Sequence, residues 1–325
     1  MKIFTLIASL IGIVLTGVVK PSHAVSDHFF PNGNIRRAQG LFSTGDITDQ
    51  IIGGLHAPIG FFTHMVSFHR LTSDGTYTHR HAGSLIAKNL ILADAYYLLD
   101  ANGTLDTEFV MENDLAYLNQ YYQFQDNSNM EVHKICEIIP HPKFDSATAP
   151  DYNLALYKLC EDSELAKNGD IIPITLNKNS DLPKHHEVLT VIGWGSVTPD
   201  SLPPSDDLMM VNINYINNTE CLYPPPFNYS YIVDSQMCAG ALAGGGRDTC
   251  WGDAGGPLMI QGNTKYNHLL VGSRSTYRPF PDYYYSSCGG NPDYPGLYER
   301  VSYSIDWILK AGCALIEGEC DIKTN

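Results

Sequence analysis

Few residues in this chain have the means to do chemistry, and they are scattered. A glycine-rich stretch, Gly252-Asp253-Ala254-Gly255-Gly256-Pro257-Leu258, holds one carboxylate between glycines. Hydroxyls stand at Ser84, Ser273 and Ser275, and an imidazole pair at His185-His186. A hydrolytic centre needs a nucleophile, a base within reach and donors aimed at the developing oxyanion. No spacing here joins these residues in that way, so they read as strand and loop residues. His79-Arg80-His81 points two imidazoles to one side of a strand, the beginning of a metal site. A zinc site needs a third ligand, and none is matched to that pair, so neither a metal nor a cofactor is expected.

The elements that must position these residues are short. Runs rich in valine, isoleucine and tyrosine, at His64–Leu71, Ser84–Leu92, Asn153–Leu159, Val188–Gly193, Met209–Ile216 and Leu269–Gly272, alternate with turn residues. That rhythm predicts an all-β sandwich or barrel. Only Ser302–Ala311 has helical spacing, with Ile305, Ile308 and Leu309 on one face. Ahead of the strands, Lys2, the apolar run Ile3–Val19 and Ser22-His23-Ala24 read as a signal peptide over residues 1–24. A membrane anchor is the rival, but the run is at the short limit for spanning a bilayer and Pro21 follows it. Residues 25–50 are polar and carry the Arg36-Arg37 pair, which reads as a flexible leader. The eight cysteines, all between Cys136 and Cys320, fit four disulfides in an oxidising compartment. Sequons at Asn102, Asn217 and Asn228 fit secretion. A net charge of −15 argues against nucleic acid as a partner.

Further landmarks occur in a telling order: Ile51-Ile52-Gly53-Gly54, Gly83-Ser84-Leu85-Ile86, His141-Pro142-Lys143-Phe144-Asp145, Gly193-Trp194-Gly195, Cys238-Ala239-Gly240, Gly252–Leu258, Pro295-Gly296-Leu297-Tyr298 and Trp307-Ile308. In this order the chain resembles the chymotrypsin-like (trypsin-fold) serine proteases from Ile51 to about Ala311. The resemblance implies two antiparallel six-stranded β-barrels with a C-terminal helix and a cleft between the barrels. It also implies one domain over residues 51–312, followed by a tail at 313–325.

The family's reacting residues are then missing by resemblance. Tyr96 stands in the place of the general base, and a phenol, with an ordinary pKa near ~10, is a poor proton acceptor at neutral pH. Asn153 stands in place of the carboxylate that orients the base, and an amide does not stabilise an imidazolium. Ala254 stands in place of the nucleophile, and a methyl group cannot attack a carbonyl. Asp151 lies two residues from Asn153 with no histidine to orient. Gly252 takes the oxyanion-hole position, and Asp253 that of the carboxylate that pairs with the freed amine of the first mature residue, here Ile51. Gln50 precedes Ile51 where the family has a basic residue, so Ile51 is expected to stay uncut. His79 is then expected to hydrogen-bond Asp253. The specificity pocket maps to Asp248, Arg274, Tyr277 and Gly296, with Arg274 expected to reach Asp248 and fill the pocket from within. The resemblance implies Cys221–Cys238 and Cys250–Cys288. Cys136 and Cys160, on strands that neighbour each other in that fold, are paired as an extra bridge. Cys313 and Cys320, beyond the terminal helix, are expected to pair with each other, an intermolecular bond from the tail being the alternative. One family disulfide is lost at both ends, where His81 and Tyr97 stand. What the resemblance implies is a secreted protease homologue that binds an extracellular protein, whether protease, inhibitor or receptor, as cofactor, decoy or adaptor. The settings are proteolytic, reproductive (seminal fluid) or immune. The rivals are a hydrolase with a displaced site and a purely structural or carrier protein. Neither nucleic acid nor a membrane is an expected partner.

Overall fold

A computed structural model of the chain describes residues 54–125, 127–145, 151–196, 205–222, 232–242, 249–275 and 295–325. The expected signal peptide, the expected leader and Ile51 lie outside them. In chain order the elements are β1 (Leu55–His56), β2 (Met65–Leu71), β3 (Tyr77–Ala87), β4 (Leu90–Ala93), α1 (Thr107–Asn113), β5 (Asp114–Leu118), β6 (Glu131–Pro140), β7 (Ala155–Leu159), α2 (Glu164–Asn168), β8 (Thr175–Leu176), β9 (Val188–Gly193), β10 (Met209–Ile216), α3 (Asn218–Leu222), β11 (Gln236–Gly240), β12 (Pro257–Ile260), β13 (Leu269–Arg274), β14 (Gly296–Arg300) and α4 (Val301–Leu315).

β2, β3, β4, β7, β6 and β5 close into one antiparallel barrel. A second runs β10-β11-β14-β13-β12-β9 and closes through the β9–β10 pairing, with β1 and β8 attached at its margins. The two six-stranded barrels and the terminal helix are the expected architecture. Side-chain alternation explains how they pack, since successive residues of a strand face opposite ways. In β4, Ile91 and Ala93 fill the first barrel with Phe68, Leu85 and Tyr157. Leu90 and Leu92 face outward to a second cluster, with Leu156, Trp194, Met259 and α4's Ile305 and Ile308, which ties the barrels to the helix. A strand buried on both faces has no polar alternation, so the Ser84–Leu92 run reads as one strand. The structure corrects this: Lys88 and Asn89 turn the chain, and β3 and β4 pair antiparallel with Ala87 opposite Leu90.

The helix is longer than its periodic segment, and Cys313 lies within α4, not beyond it. The tail packs back on the body. Leu176 donates its N–H to the Lys323 carbonyl at 2.8 Å, and Asn325 returns one to Leu176 at 3.2 Å. Disulfides join Cys136–Cys160, Cys221–Cys238 and Cys313–Cys320. Cys250 is disulfide-bonded, and Cys288 lies outside the described residues.

Candidate functional site

Of the residues singled out by sequence, Asn153, Gly252, Asp253, Ala254, Arg274 and Ser275 come together where the barrels meet. After β11 the chain returns through Cys250-Trp251-Gly252 into the turn that holds Ala254, then enters β12. Asp253 is wholly buried in this turn. Its carboxylate accepts the Gly195 N–H at 2.8 Å and the Cys250 N–H at 2.7 Å. This close approach explains the Gly193-Trp194-Gly195 motif. A Cβ on Gly193 would lie 1.9 Å from Asp253 Oδ1, and one on Gly195 2.3 Å from Oδ2. A buried carboxylate is tolerated only with such donors around it.

Ala254 is buried, and its carbonyl accepts the Ala82 N–H of β3 at 2.7 Å. The turn is thereby pinned across the barrel interface. A second pin comes from His79 on β3. Its Nε2 donates to the Gly252 carbonyl at 2.9 Å, so Nδ1 accepts from the Ser67 hydroxyl at 2.6 Å. Burial, with a smaller push from His69, lowers the His79 pKa to about 3, so the ring is neutral. The expected His79–Asp253 hydrogen bond is therefore replaced. Both ring nitrogens are engaged elsewhere, because β3's register sets the ring against the Gly252 peptide.

Asn153 forms a third bridge. Its Oδ1 accepts the N–H groups of Ala95 and Tyr96 at 2.9 and 2.8 Å, and its Nδ2 donates to Ser275 Oγ, just past β13, at 3.1 Å. The amide keeps an acceptor on the backbone side and turns a donor toward the serine. Glu299 of β14 lies behind it, fully buried. Its Oε2 accepts the Tyr152 N–H at 3.1 Å and its Oε1 accepts from Gln236 at 3.3 Å. Burial raises the Glu299 pKa to about 8, with a lesser push from Asp151, so the group is a neutral acid at pH 7. No sequence reading pointed to Glu299. Its one signal is a carboxylate amid the apolar alternation of a core strand.

Tyr97, Cys250, Trp251, Gly252, Ala254, Arg274 and Ser275 line a cavity of about 40 Å³. That admits a few waters and is far below the roughly 300 Å³ at which ligand pockets begin. The ring that walls it is Tyr97; Tyr96 is not in the lining and is 41% exposed. Arg274 turns inward, buried, and its Nη1 donates to the Ser275 and Leu297 carbonyls at 2.8 and 2.9 Å. Asp248 and Tyr277 lie outside the described residues, and with them the expected Arg274–Asp248 contact. Gly296, buried, opens β14 opposite Ala239. Among the described residues the lining offers two hydroxyls, Tyr97 and Ser275, and no imidazole or carboxylate. Burial pushes the Tyr97 hydroxyl well above the usual phenol range.

His81 and Tyr97 are in contact. Their rings stack at 4.5 Å and 6°, and His81 stacks on Phe68 at 4.4 Å and 7°. Burial keeps His81 neutral, holding its pKa well below the ordinary histidine value. Of the sequons, Asn102 lies on an exposed turn. Asn217 is half-buried, accepting the Glu220 N–H and donating to His185 Nδ1, and Asn228 is outside the described residues.

A family model described as Trypsin matches residues 51–308. Kallikrein 1-related peptidase b3 of Mus musculus is 30% identical over 228 residues, 65% of this chain and 77% of that protein. Hypodermin-A of Hypoderma lineatum is 30% identical over 269 residues, 81% of this chain and 87% of that protein. Serine protease 41 of Homo sapiens is 30% identical over 245 residues, 71% and 68% of the two chains.

Proposed function

That the chain belongs to the trypsin family is the premise from which we propose its function: a secreted protease homologue that binds an extracellular protein and does not cleave it. One observation carries the reading. Ala254 occupies the pinned, buried turn beside Gly252, and a methyl group there cannot form an acyl-enzyme. Supporting it, Asn153 spends its amide oxygen on two backbone donors and turns its NH₂ to Ser275, so it presents no carboxylate to a base. Three disulfides among the described residues fit an oxidising compartment, as does the apolar segment ahead of Ala24. Among the described residues no helix is long and apolar enough to cross a membrane. Tyr96 and Trp251, 41% and 46% exposed, offer a partner two aromatic contacts near the cleft.

The rival hydrolase with a displaced site has one observation in its favour, the 2.6 Å contact between Ser67 and His79. Ser67 is wholly buried, however, and the other nitrogen of His79 donates to a backbone carbonyl. No substrate reaches that hydroxyl.

A fluorophosphonate probe tests the catalytic half of the proposal. The purified chain stays unlabelled beside a labelled active relative; covalent labelling of any serine ends the reading. For the binding half, the chain and its Tyr96→Ala/Trp251→Ala variant serve as paired baits in the fluid that contains it. A stoichiometric partner retained by the first and lost by the second is expected. Equal recovery, or none, removes the cleft as a docking surface.

A further inference from the structure

A second cluster of titratable side chains lies away from the cleft, on the outer side of the second barrel. His185 and His186 sit in the loop before β9, and Glu220 lies on α3, 34 residues beyond His186. In the fold, Glu220 Oε2 is 3.0 Å from His185 Nε2 and 3.4 Å from His186 Nε2. The ligand atoms all lie within 4.8 Å of one another, and the three side chains are solvent-accessible. Two donor atoms bound tetrahedrally to one zinc ion at about 2.0–2.1 Å lie about 3.3 Å apart, so the two Glu220–imidazole separations suit one shared ion.

We propose that His185, His186 and Glu220 form a zinc site with two imidazole ligands, one carboxylate and an open fourth position for water.

The backbone supports this independently. Adjacent residues in extended chain point their side chains to opposite sides. His186 instead adopts φ 61°, a left-handed conformation that L-residues seldom take, and the two rings come to lie 3.7 Å apart on one side. That conformation is held in place. The His186 N–H donates to the Tyr215 carbonyl at 2.9 Å, and the Asn214 amide donates to the His186 carbonyl at 3.0 Å. On the other side, Glu220 immediately precedes Cys221, whose disulfide to Cys238 anchors α3 to β11. Two imidazoles and a carboxylate on rigid supports suit a borderline ion such as Zn²⁺ better than the oxygen-seeking Ca²⁺ or Mg²⁺.

Asn217 supplies the second layer. Its Nδ2 donates to His185 Nδ1 at 3.1 Å, which places the His185 proton on Nε2, toward Glu220. Zinc takes that position. The ring proton then moves to Nδ1, and Asn217 turns its amide oxygen to receive it, giving up the Glu220 N–H that it accepts at 2.8 Å. No net proton is released in the shift. Zinc links the loop before β9 to α3 and would stiffen both.

The test is zinc binding by the disulfide-intact chain, measured by competition with a chromogenic zinc chelator. Thr219→Ala removes the Asn217 sequon without touching a ligand and serves as the background. The expected result is one zinc per chain at micromolar affinity. Glu220→Gln should weaken it at least tenfold, and His185→Asn/His186→Asn should abolish it. The ring-proton signals of His185 and His186 should move on saturation while those of half-buried His79 and buried His81 stay. Absence of binding, or binding unchanged in the double variant, overturns the proposal; the latter would place zinc at other histidines. All three ligands are on the surface, so the variants keep the fold.

Discussion

At the residue scale, two buried ionisable groups give opposite pH dependences. The Glu299 pKa rises to about 8 in the fold from an ordinary 4.5. Between those values the unfolded chain is ionised and the folded chain holds its proton, so stability falls as pH rises from about 4.5 to about 8 and is level beyond. Glu299→Gln removes that penalty. Its urea midpoint should exceed the parent's at pH 9 and converge with it at pH 4, a gain of a few kcal/mol at the alkaline end. His64 has the reverse sign. Burial, aided by His268, lowers its pKa to about 3 from 6.5, and neither ring nitrogen has a hydrogen-bond partner. The unfolded chain takes up a proton that the folded chain refuses, so stability is lost as pH falls from 6.5 toward 3. His64→Leu should raise the midpoint most near pH 4, and an equal change at pH 8 would disprove the linkage. A third expectation concerns Ala254→Ser alone. With Tyr96 and Asn153 unchanged there is no imidazole base to activate the hydroxyl, so fluorophosphonate labelling should remain at background. The places given to Tyr96, Asn153 and Ala254 rest on the resemblance; their identities were legible in the sequence. The weight of Glu299 was not, because burial and the closeness of Gln236 and Tyr152 are absent from a string of letters.

At the element scale, β2, β3 and the 3₁₀ turn at Tyr96–Leu98 meet in an aromatic stack of Phe68, His81 and Tyr97. A His81→Ala/Tyr97→Ala double-mutant cycle should return a coupling of about 0.5–1.5 kcal/mol, as offset aromatic pairs do. A coupling near zero would reduce the stack to two independent burials. β9 and β10 match the sequence runs Val188–Gly193 and Met209–Ile216 residue for residue. Both are bounded by turn residues, and period 2 marks a single buried face along β10. β3 and β4 merged in the reading because both faces of β4 are apolar and the two-residue turn between them carries no glycine. The His79 contact was misplaced for a related reason. The strand position follows from pattern, but which peptide its ring meets follows from a barrel-to-barrel register.

At the scale of the whole molecule, the cross-links and the tail close the body at several points. The Cys136–Cys160 bridge encloses a 24-residue separation, and removing it as Cys136→Ala/Cys160→Ala should cost roughly 3 kcal/mol in a denaturation midpoint. A negligible change would mean that the β6–β7 ladder alone holds that edge. By itself the sequence determined the fold family, since the order of landmarks survives in one dimension, and the identities of Tyr96, Asn153 and Ala254, since side-chain identity is local. Tertiary structure alone decided which groups meet: His79 with Gly252, Asn153 with Ser275, His81 with Tyr97, and Glu220 with the His185-His186 pair. Each of these joins residues far apart along the chain, brought together by strand register and barrel closure, which no local pattern encodes.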